Sequence, residues 1–463
     1  MFILITIPYF LKGTCNIFCL FYIFDPNITN NLTTIQMGKK VNFIVLGILV
    51  IVSLIFGSEY QNMGNLEEIN AGDTAWILVA SAFVLLMTPG LAFFYGGMVN
   101  KKNVISTMLQ SFVALGVISL VWVIVGFSLA FGDSLGGIIG NPLTYFAFKN
   151  VSIAPNPAFA STIPFVLFAM FQLKFAIITP ALITGSFAER IRFRSYILFI
   201  VLFSLFIYAP FAHMTWHPNG LFRNWGVLDF AGGTVVHMSA GFAALAGSLY
   251  LGNRKHQIEE PANIPYVILG TGLLWFGWFG FNAGSALKAD SNAVIAFANT
   301  NIASATSMIA WIFFDRFRGK KMTAIGASIG AIVGLVAITP AAGYVSIGQS
   351  IFIGFVAAII SNLAISFVNK TSYIDDTLDV FPSHGVGGIV GMLLTGVFAN
   401  GVGLIHGETK TFFYHLLTLG LVAVFTFGGS WILYKIVDMV LPIRVTETQE
   451  LRGLDDSQHG EQA

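Results

Sequence analysis

Two histidines carry the chemistry that this sequence could do inside an apolar environment. His237 lies in "GVLDFAGGTVVHMSAG" (226–241) and His384 in "DDTLDVFPSHGVGGIVG" (375–391), both glycine-rich and largely apolar. An ionisable side chain is costly in hydrocarbon, so each imidazole needs a partner or a task. If the rings touch, one neutral imidazole can donate N–H to the bare nitrogen of the other, leaving one donor and one acceptor outward. Such a pair suits a small polar molecule that can give or take a proton. It suits a bare cation poorly, because stripping an ion of water costs many kcal/mol. The bland alternative is a packed imidazole bonded to a neighbouring helix. A metal site would need further ligands, and none stands at a recognisable spacing; the only cysteines are Cys15 and Cys19. Neither a metal nor a cofactor is expected.

Asp229 precedes His237 by eight residues, about 12 Å along a helix at ~1.5 Å per residue, so the two should not share a hydrogen bond. An aspartate there can cap a helix N-terminus, add a field that attracts cations, or do both. Phe171 and Phe175 are i and i+4 and so share a helix face. Trp216 falls at the end of an apolar run, where it can be an interfacial anchor or a π platform for a small cation.

The elements that must position these residues are membrane helices. Of 463 residues, 56% are hydrophobic and only 10% charged, and the mean hydropathy is +0.79, too apolar for a soluble globule of this length. Runs long enough to cross a ~30 Å hydrocarbon core recur near 75–98, 104–132, 161–188, 195–215, 230–252, 263–287, 292–313, 323–340, 345–367, 384–400 and 411–440. The expected fold is therefore an all-α polytopic membrane protein of eleven transmembrane helices. Basic residues cluster after the odd-numbered spans: Lys101 and Lys102; Arg190, Arg192 and Arg194; Arg254 and Lys255; Arg316, Arg318, Lys320 and Lys321; and Lys370. After the even-numbered spans stand only Lys149, Arg223, Lys288 and Lys410. The positive-inside rule then puts the N-terminus outside and the C-terminus in the cytoplasm. The net charge of +1 gives no sign of a nucleic-acid partner.

Residues 37–58 have a basic start and an apolar run ending in small residues, as a signal peptide does; an uncleaved extra span satisfies the same topology. Residues 1–36 remain unassigned and are consistent with translation starting at Met37; the sequons at Asn27 and Asn31 are short enough to arise by chance. The membrane domain is expected over 72–443 and a cytoplasmic tail over 444–463. Within the domain, "ITPA" occurs at 178–181 and 338–341, and an acid followed by a histidine opens both the fifth span and the tenth. Repeats separated by five helices must have opposite orientation, which predicts a pseudo-two-fold at which His237 and His384 meet.

From residue 72 onward the chain resembles the Amt/Mep branch of the Amt/Mep/Rh ammonium transporters. The resemblance is carried by "MTPGLAFFYGGMVNKKNV", "AIITPALITGSFAERIRF", "GVLDFAGGTVVHMSAG", "GWFGFNAGSAL", "DDTLDVFPSHGVGGIVG" and "GLDDSQHGE". It implies a homotrimer with one pore per subunit, two inverted five-helix repeats and residence in the plasma or inner membrane. Ammonium, ammonia and methylammonium are the implied substrates. By position, His237 and His384 match the family's pore histidines, and Phe171 and Phe175 its stacked phenylalanine gate. Trp216, Ser285 and Phe175 match its outer recruitment site, with Asp229 as the acid beside it. Trp278 matches a pore-lining tryptophan, and Asp376 and Asp379 the structural acids before the second histidine. The tail implies coupling between subunits and docking of a P-II-type regulatory protein.

Three departures stand out. The residues after Trp216 are "HPNG" where the family has a glycine run; Pro382 and Ser383 precede His384; and Lys174 sits beside Phe175. A lysine at that depth is expected to face a helix or subunit interface with an acidic or carbonyl partner. Two rivals to transport remain: an ammonium sensor with little flux, and an intramembrane serine hydrolase using Ser285 with His384 as base. No enzymatic activity is expected.

Overall fold

The computed structural model describes residues 32–56, 66–257 and 260–463, with side chains of the first helix described from residue 43. Residues 1–31, which include Cys15, Cys19, Asn27 and Asn31, and the end of the candidate signal segment at 57–58 lie outside the described residues. Helix α1 (Leu32–Phe56) leaves Phe43 and Leu54 exposed.

Ten helices among the described residues are long and apolar enough to cross a membrane. They are α2 (Ala71–Met98), α3 (Lys101–Phe131), α4 (Phe165–Ser186), α5 (Phe193–Asn224), α6 (Gly233–Leu251), α7 (Ile264–Ala286), α8 (Ser291–Phe317), α10 (Ile347–Val368), α11 (Phe381–Phe398) and α12 (Thr409–Val440). Between α8 and α10 lies α9 (Ala324–Ile338), apolar but only 15 residues long. A two-stranded hairpin, β1 (Ser134–Leu135) with β2 (Ile139–Gly140), occupies the loop after α3. The chain closes with a short helix α13 (Glu447–Arg452).

Polar residues at the ends start these helices. Asn70 accepts from the Asp73 N–H, Asp290 from those of Asn292 and Ala293, and Thr323 from that of Gly326. Ser346 and Gln349 bond each other's backbone in a capping box. Between helices the packing is set by small residues, as expected where lipid gives no hydrophobic drive to association. A Cβ on Gly270 of α7 would lie 2.3 Å from the Phe94 nitrogen of α2, so those two backbones touch. In the same way α10 meets α8 through Gly354 against Ala303.

At the end of the bundle where α4 and α6 finish, buried charges lock the loops. Arg254 bridges Glu189 and Asp375, each at 2.9 Å. Arg190, fully buried, donates to the carbonyls of Ser186 and Asp375 and to the Thr377 hydroxyl. Burial works against the Arg254 charge, but hydrogen bonds from Arg254 to Asp375 and the fields of Asp375 and Glu189 outweigh it and hold the guanidinium above its ordinary value. Burial likewise pushes Asp375 up, while the hydrogen bonds from Arg254 and the charges of Arg190 and Arg254 bring it below its ordinary range. The tail folds onto the same end: Asp455 accepts from the N–H groups of Ile105 and Ser106 at 3.0 and 2.7 Å, capping α3.

Removing one partner of a buried pair strands the other charge. Arg254→Leu is expected to cost about 3 kcal/mol, read as a lower thermal midpoint in detergent. Because the Asp375 carboxyl is depressed in the folded state, its stabilisation is present above the unfolded carboxylate pKa near 4 and fades as pH falls through the folded value. The midpoint of the parent protein should therefore drop below about pH 4, and that drop should be smaller in Arg254→Leu.

Candidate functional site

The site forms where α6 and α11 cross. Gly241, one turn after His237, and Gly385, next to His384, meet so closely that a Cβ on Gly241 would lie 2.3 Å from the nitrogen and Cα of Gly385. The crossing leaves His384 Nδ1 at 3.3 Å from His237 Nδ1, with the rings 5.4 Å apart and inclined by 23°. Each histidine sits in a π-helical turn, Gly233–Met238 and Phe381–Val386. Such turns widen the helix and displace the backbone ladder, a device common at functional sites. His237 Nε2 is buried and has no hydrogen-bond partner among the described residues. Beyond His384, a small cavity of about 10 Å³ is lined by Ile329, Ile332 and Ser383 among others, about the room that one water needs.

Matching acids open both π-helical turns. Asp229, 5% exposed, accepts from the N–H groups of Gly232, Gly233 and Thr234 at 2.8, 2.6 and 2.7 Å and from the Thr234 hydroxyl. Asp376, eight residues before His384 as Asp229 is before His237, accepts from the Phe381 N–H at 2.7 Å, while its Oδ1 is buried without a partner among the described residues. Asp379 has a positive φ of 55° and accepts the Ser383 N–H at its carbonyl.

Aromatic rings lead away from the histidines. Trp278 lies 5.4 Å from His237 between ring centroids and donates to the Thr339 hydroxyl at 2.9 Å. Phe281 is 5.9 Å from His237 and 4.3 Å from Phe175. Phe171 and Phe175 are 5.0 Å apart at an interplanar angle of 69°, so they meet edge to face rather than as a parallel stack; both are buried. Phe175 then meets Trp216 at 5.8 Å, and Trp216 Nε1 donates to the Asp229 carbonyl at 3.1 Å. Trp216 and Ser285 are only partly buried. The hydroxyl of Ser285 donates to the Phe281 carbonyl at 2.8 Å, and the His384 Nδ1 faces His237, so no Ser285–His384 dyad forms.

The chain belongs to the ammonium transporter family. The profile of the Ammonium Transporter Family matches residues 75–463. An ammonium transporter of Aquifex aeolicus is 46% identical over 428 residues, 90% of this chain and 99% of that one. The crystal structure of Candida albicans Mep2 superposes with a TM-score of 0.78 at 37% identity, covering 82% of this chain and 88% of that one. A structure described as a sensor Amt protein gives a TM-score of 0.78 at 31% identity, covering 84% and 98%. The protein is thus a multi-pass membrane protein of a transporter family.

Several contributors to the site are not among the expected site residues. Phe281 bridges Phe175 and His237, and Thr339 of the second "ITPA" segment accepts from Trp278 Nε1. His415, a buried histidine of α12, accepts from the Leu228 N–H and bonds the Met392 carbonyl, tying the entry of α6 to α11; its position in an apolar run is the signal that could have found it. In the "HPNG" segment His217 stacks on His213 at 4.3 Å and accepts the Asn219 N–H. Lys174 is half-buried, and no hydrogen bond or ion pair holds it among the described residues, so the expected partner does not come from a neighbouring described helix. Its helix presents Val166, Met170 and Lys174 along its less buried stripe, away from the packed core that would supply an acid.

Asp229→Ala should release four donors at once. The expected loss is about 2 kcal/mol, measured as a lower thermal midpoint. Asp229→Asn, which keeps an acceptor oxygen, should recover part of that stability, and equal loss in both variants would contradict the capping role.

Proposed function

We propose that this protein conducts ammonia derived from ammonium. Ammonium is recruited outside by the π face of Trp216 with Phe175 and by the Ser285 hydroxyl, helped by the field of Asp229. It sheds its proton there to water at the partly exposed outer end, and ammonia passes Phe171 and Phe175 to reach His237 and His384. The observation that carries this reading is the unpartnered, buried Nε2 of His237 beside the imidazole contact. A buried polar nitrogen with no partner costs of the order of 1–3 kcal/mol, which a small hydrogen-bonding molecule passing along the pair would relieve. Shedding the proton avoids the desolvation penalty of an ion, whereas potassium has no proton to shed and meets the full barrier.

In the same proposal α2 to α12 are eleven spans in two inverted five-helix repeats, with the N-terminus outside and the C-terminus in the cytoplasm of a plasma or inner membrane. The two "ITPA" segments and the acids placed eight residues before each histidine, Asp229 and Asp376, support the repeat. Residues 37–58 act as a signal peptide, the working unit is a homotrimer, and the tail at 444–463 offers a site to a P-II-type regulatory protein. The sensor reading draws on the sensor Amt neighbour.

Uptake of labelled methylammonium by cells lacking their own transporters tests transport against sensing. The expected result is saturable uptake that ammonium competes away. A well-expressed, membrane-inserted protein with no uptake would leave only the sensor. Trp216→Leu should raise the concentration for half-maximal uptake several-fold, corresponding to ~1 kcal/mol of cation–π attraction, with a smaller effect on the maximal rate.

A further inference from the structure

His415 is fully buried on α12, and both of its ring nitrogens are engaged. Nδ1 lies 2.8 Å from the Met392 carbonyl and Nε2 2.9 Å from the Leu228 nitrogen. A carbonyl only accepts and a backbone N–H only donates, so these partners fix the neutral tautomer, with the proton on Nδ1 and a bare, accepting Nε2. The Met392 bond ties α12 to α11, where Gly396 lets the helices close: a Cβ on it would lie 3.3 Å from the His415 Cβ and Cγ. Packing of the two helices needs no more than this. The second bond leaves the helix pair altogether and reaches the loop residue before Asp229.

That loop is pinned at further points. Next to His415, Tyr414 stacks on Trp225 with ring centroids 5.4 Å apart and 28° between the planes. The peptide just after Asp229 is held at its N–H, where Phe230 donates to the Pro340 carbonyl at 3.1 Å, and its own carbonyl accepts from Trp216 Nε1 at 3.1 Å. Two hydrogen bonds thus lead from a buried imidazole, through the backbone of Leu228 and Asp229, to the Trp216 indole. An indole has a single N–H, so the place of that carbonyl sets the tilt of the ring. Tilt matters because a cation is attracted only when it stands over the face of the ring.

We propose that His415 is a positioning residue for the outer recruitment site: through Leu228 and the Asp229 carbonyl it sets the plane of the Trp216 ring on which ammonium is captured. Its consequence for uptake rests on the recruitment role proposed for Trp216, whereas the link from His415 to the indole rests on the hydrogen bonds alone. The two ring nitrogens have separate tasks, Nδ1 holding the helices together and Nε2 holding the mouth. Two substitutions divide them. The side-chain amide of glutamine reaches the place of Nε2, and that of asparagine the place of Nδ1. His415→Gln can therefore still accept the Leu228 N–H, while His415→Asn keeps the Met392 bond and leaves Leu228 without its acceptor.

The test uses the full-length protein. In methylammonium uptake, His415→Asn should raise the half-maximal concentration about two- to fivefold, the size of an exposed cation–π contact, with little change in maximal rate, and His415→Gln should restore most of the loss. Because the effect passes through the indole, His415→Asn should add nothing in a Trp216→Leu background. A readout without transport is fluorine NMR of protein carrying fluorotryptophan, the Trp216 resonance being identified by its loss in Trp216→Phe. His415→Asn should shift that resonance, and His415→Gln should leave it near its place in the parent. A parent protein without uptake would sink the recruitment role alone, and the resonance would still decide the link. Replacing the Leu228 amide by an ester removes the same hydrogen bond without touching the histidine; it should act as His415→Asn does, which keeps the test open if that variant does not fold. Equal losses in His415→Asn and His415→Gln, an undiminished effect of His415→Asn without Trp216, or a Trp216 resonance unmoved by both His415→Asn and the ester would each overturn the proposal.

Discussion

The contact of Gly241 with Gly385 governs the rest of the site. Two membrane helices with ordinary side chains at their crossing are held apart by roughly 8–10 Å between axes. With neither helix carrying a Cβ at the contact, the backbones touch and the imidazoles on adjacent turns come within 3.3 Å. Every other contact of the site is measured from that point: Trp278 and Phe281 against His237, Phe175 against Phe281, and Trp216 against Phe175. A larger residue at either glycine would open the crossing and pull the nitrogens out of reach.

The same helices must begin inside the bundle, where their free N–H groups have no water. Asp229 solves this with four accepted bonds, and its backbone carbonyl accepts from the Trp216 indole. Asp376 occupies the equivalent place before His384 but leaves one oxygen without a partner among the described residues. The two helix starts are therefore built alike and finished differently. One carboxylate is saturated beside the partly exposed Trp216; the other keeps an oxygen without a partner among the described residues, near the small cavity that adjoins His384.

How much of this is legible in residue order depends on the kind of force involved. Hydrophobic length alone marks the membrane helices, because a bilayer demands it of every span; α9 is the case where length falls short, at 15 helical residues. Both histidines stand out because an imidazole in an apolar glycine-rich run is rare, and the acid eight residues before each is a visible repeat. The π-helical turns are not visible, since they are a matter of backbone hydrogen-bond register that no residue pattern marks. Nor is the edge-to-face angle of Phe171 and Phe175, which Phe281 and Gly284 set from another helix. Lys174 shows the limit most plainly: its cost in lipid predicts a partner, but a sequence cannot say that none of the described residues of its own chain supplies one.

The account stands on the claim that the paired imidazoles let ammonia pass and stop bare cations. The direct measurement is the ratio of ammonium-driven to potassium flux in proteoliposomes, the first followed by lumenal pH and the second by radioactive rubidium, for the parent and for the variant with alanine at both 237 and 384. The account predicts that the folded variant loses either ammonia flux or its preference over potassium. A variant with undiminished flux and unchanged preference would contradict it.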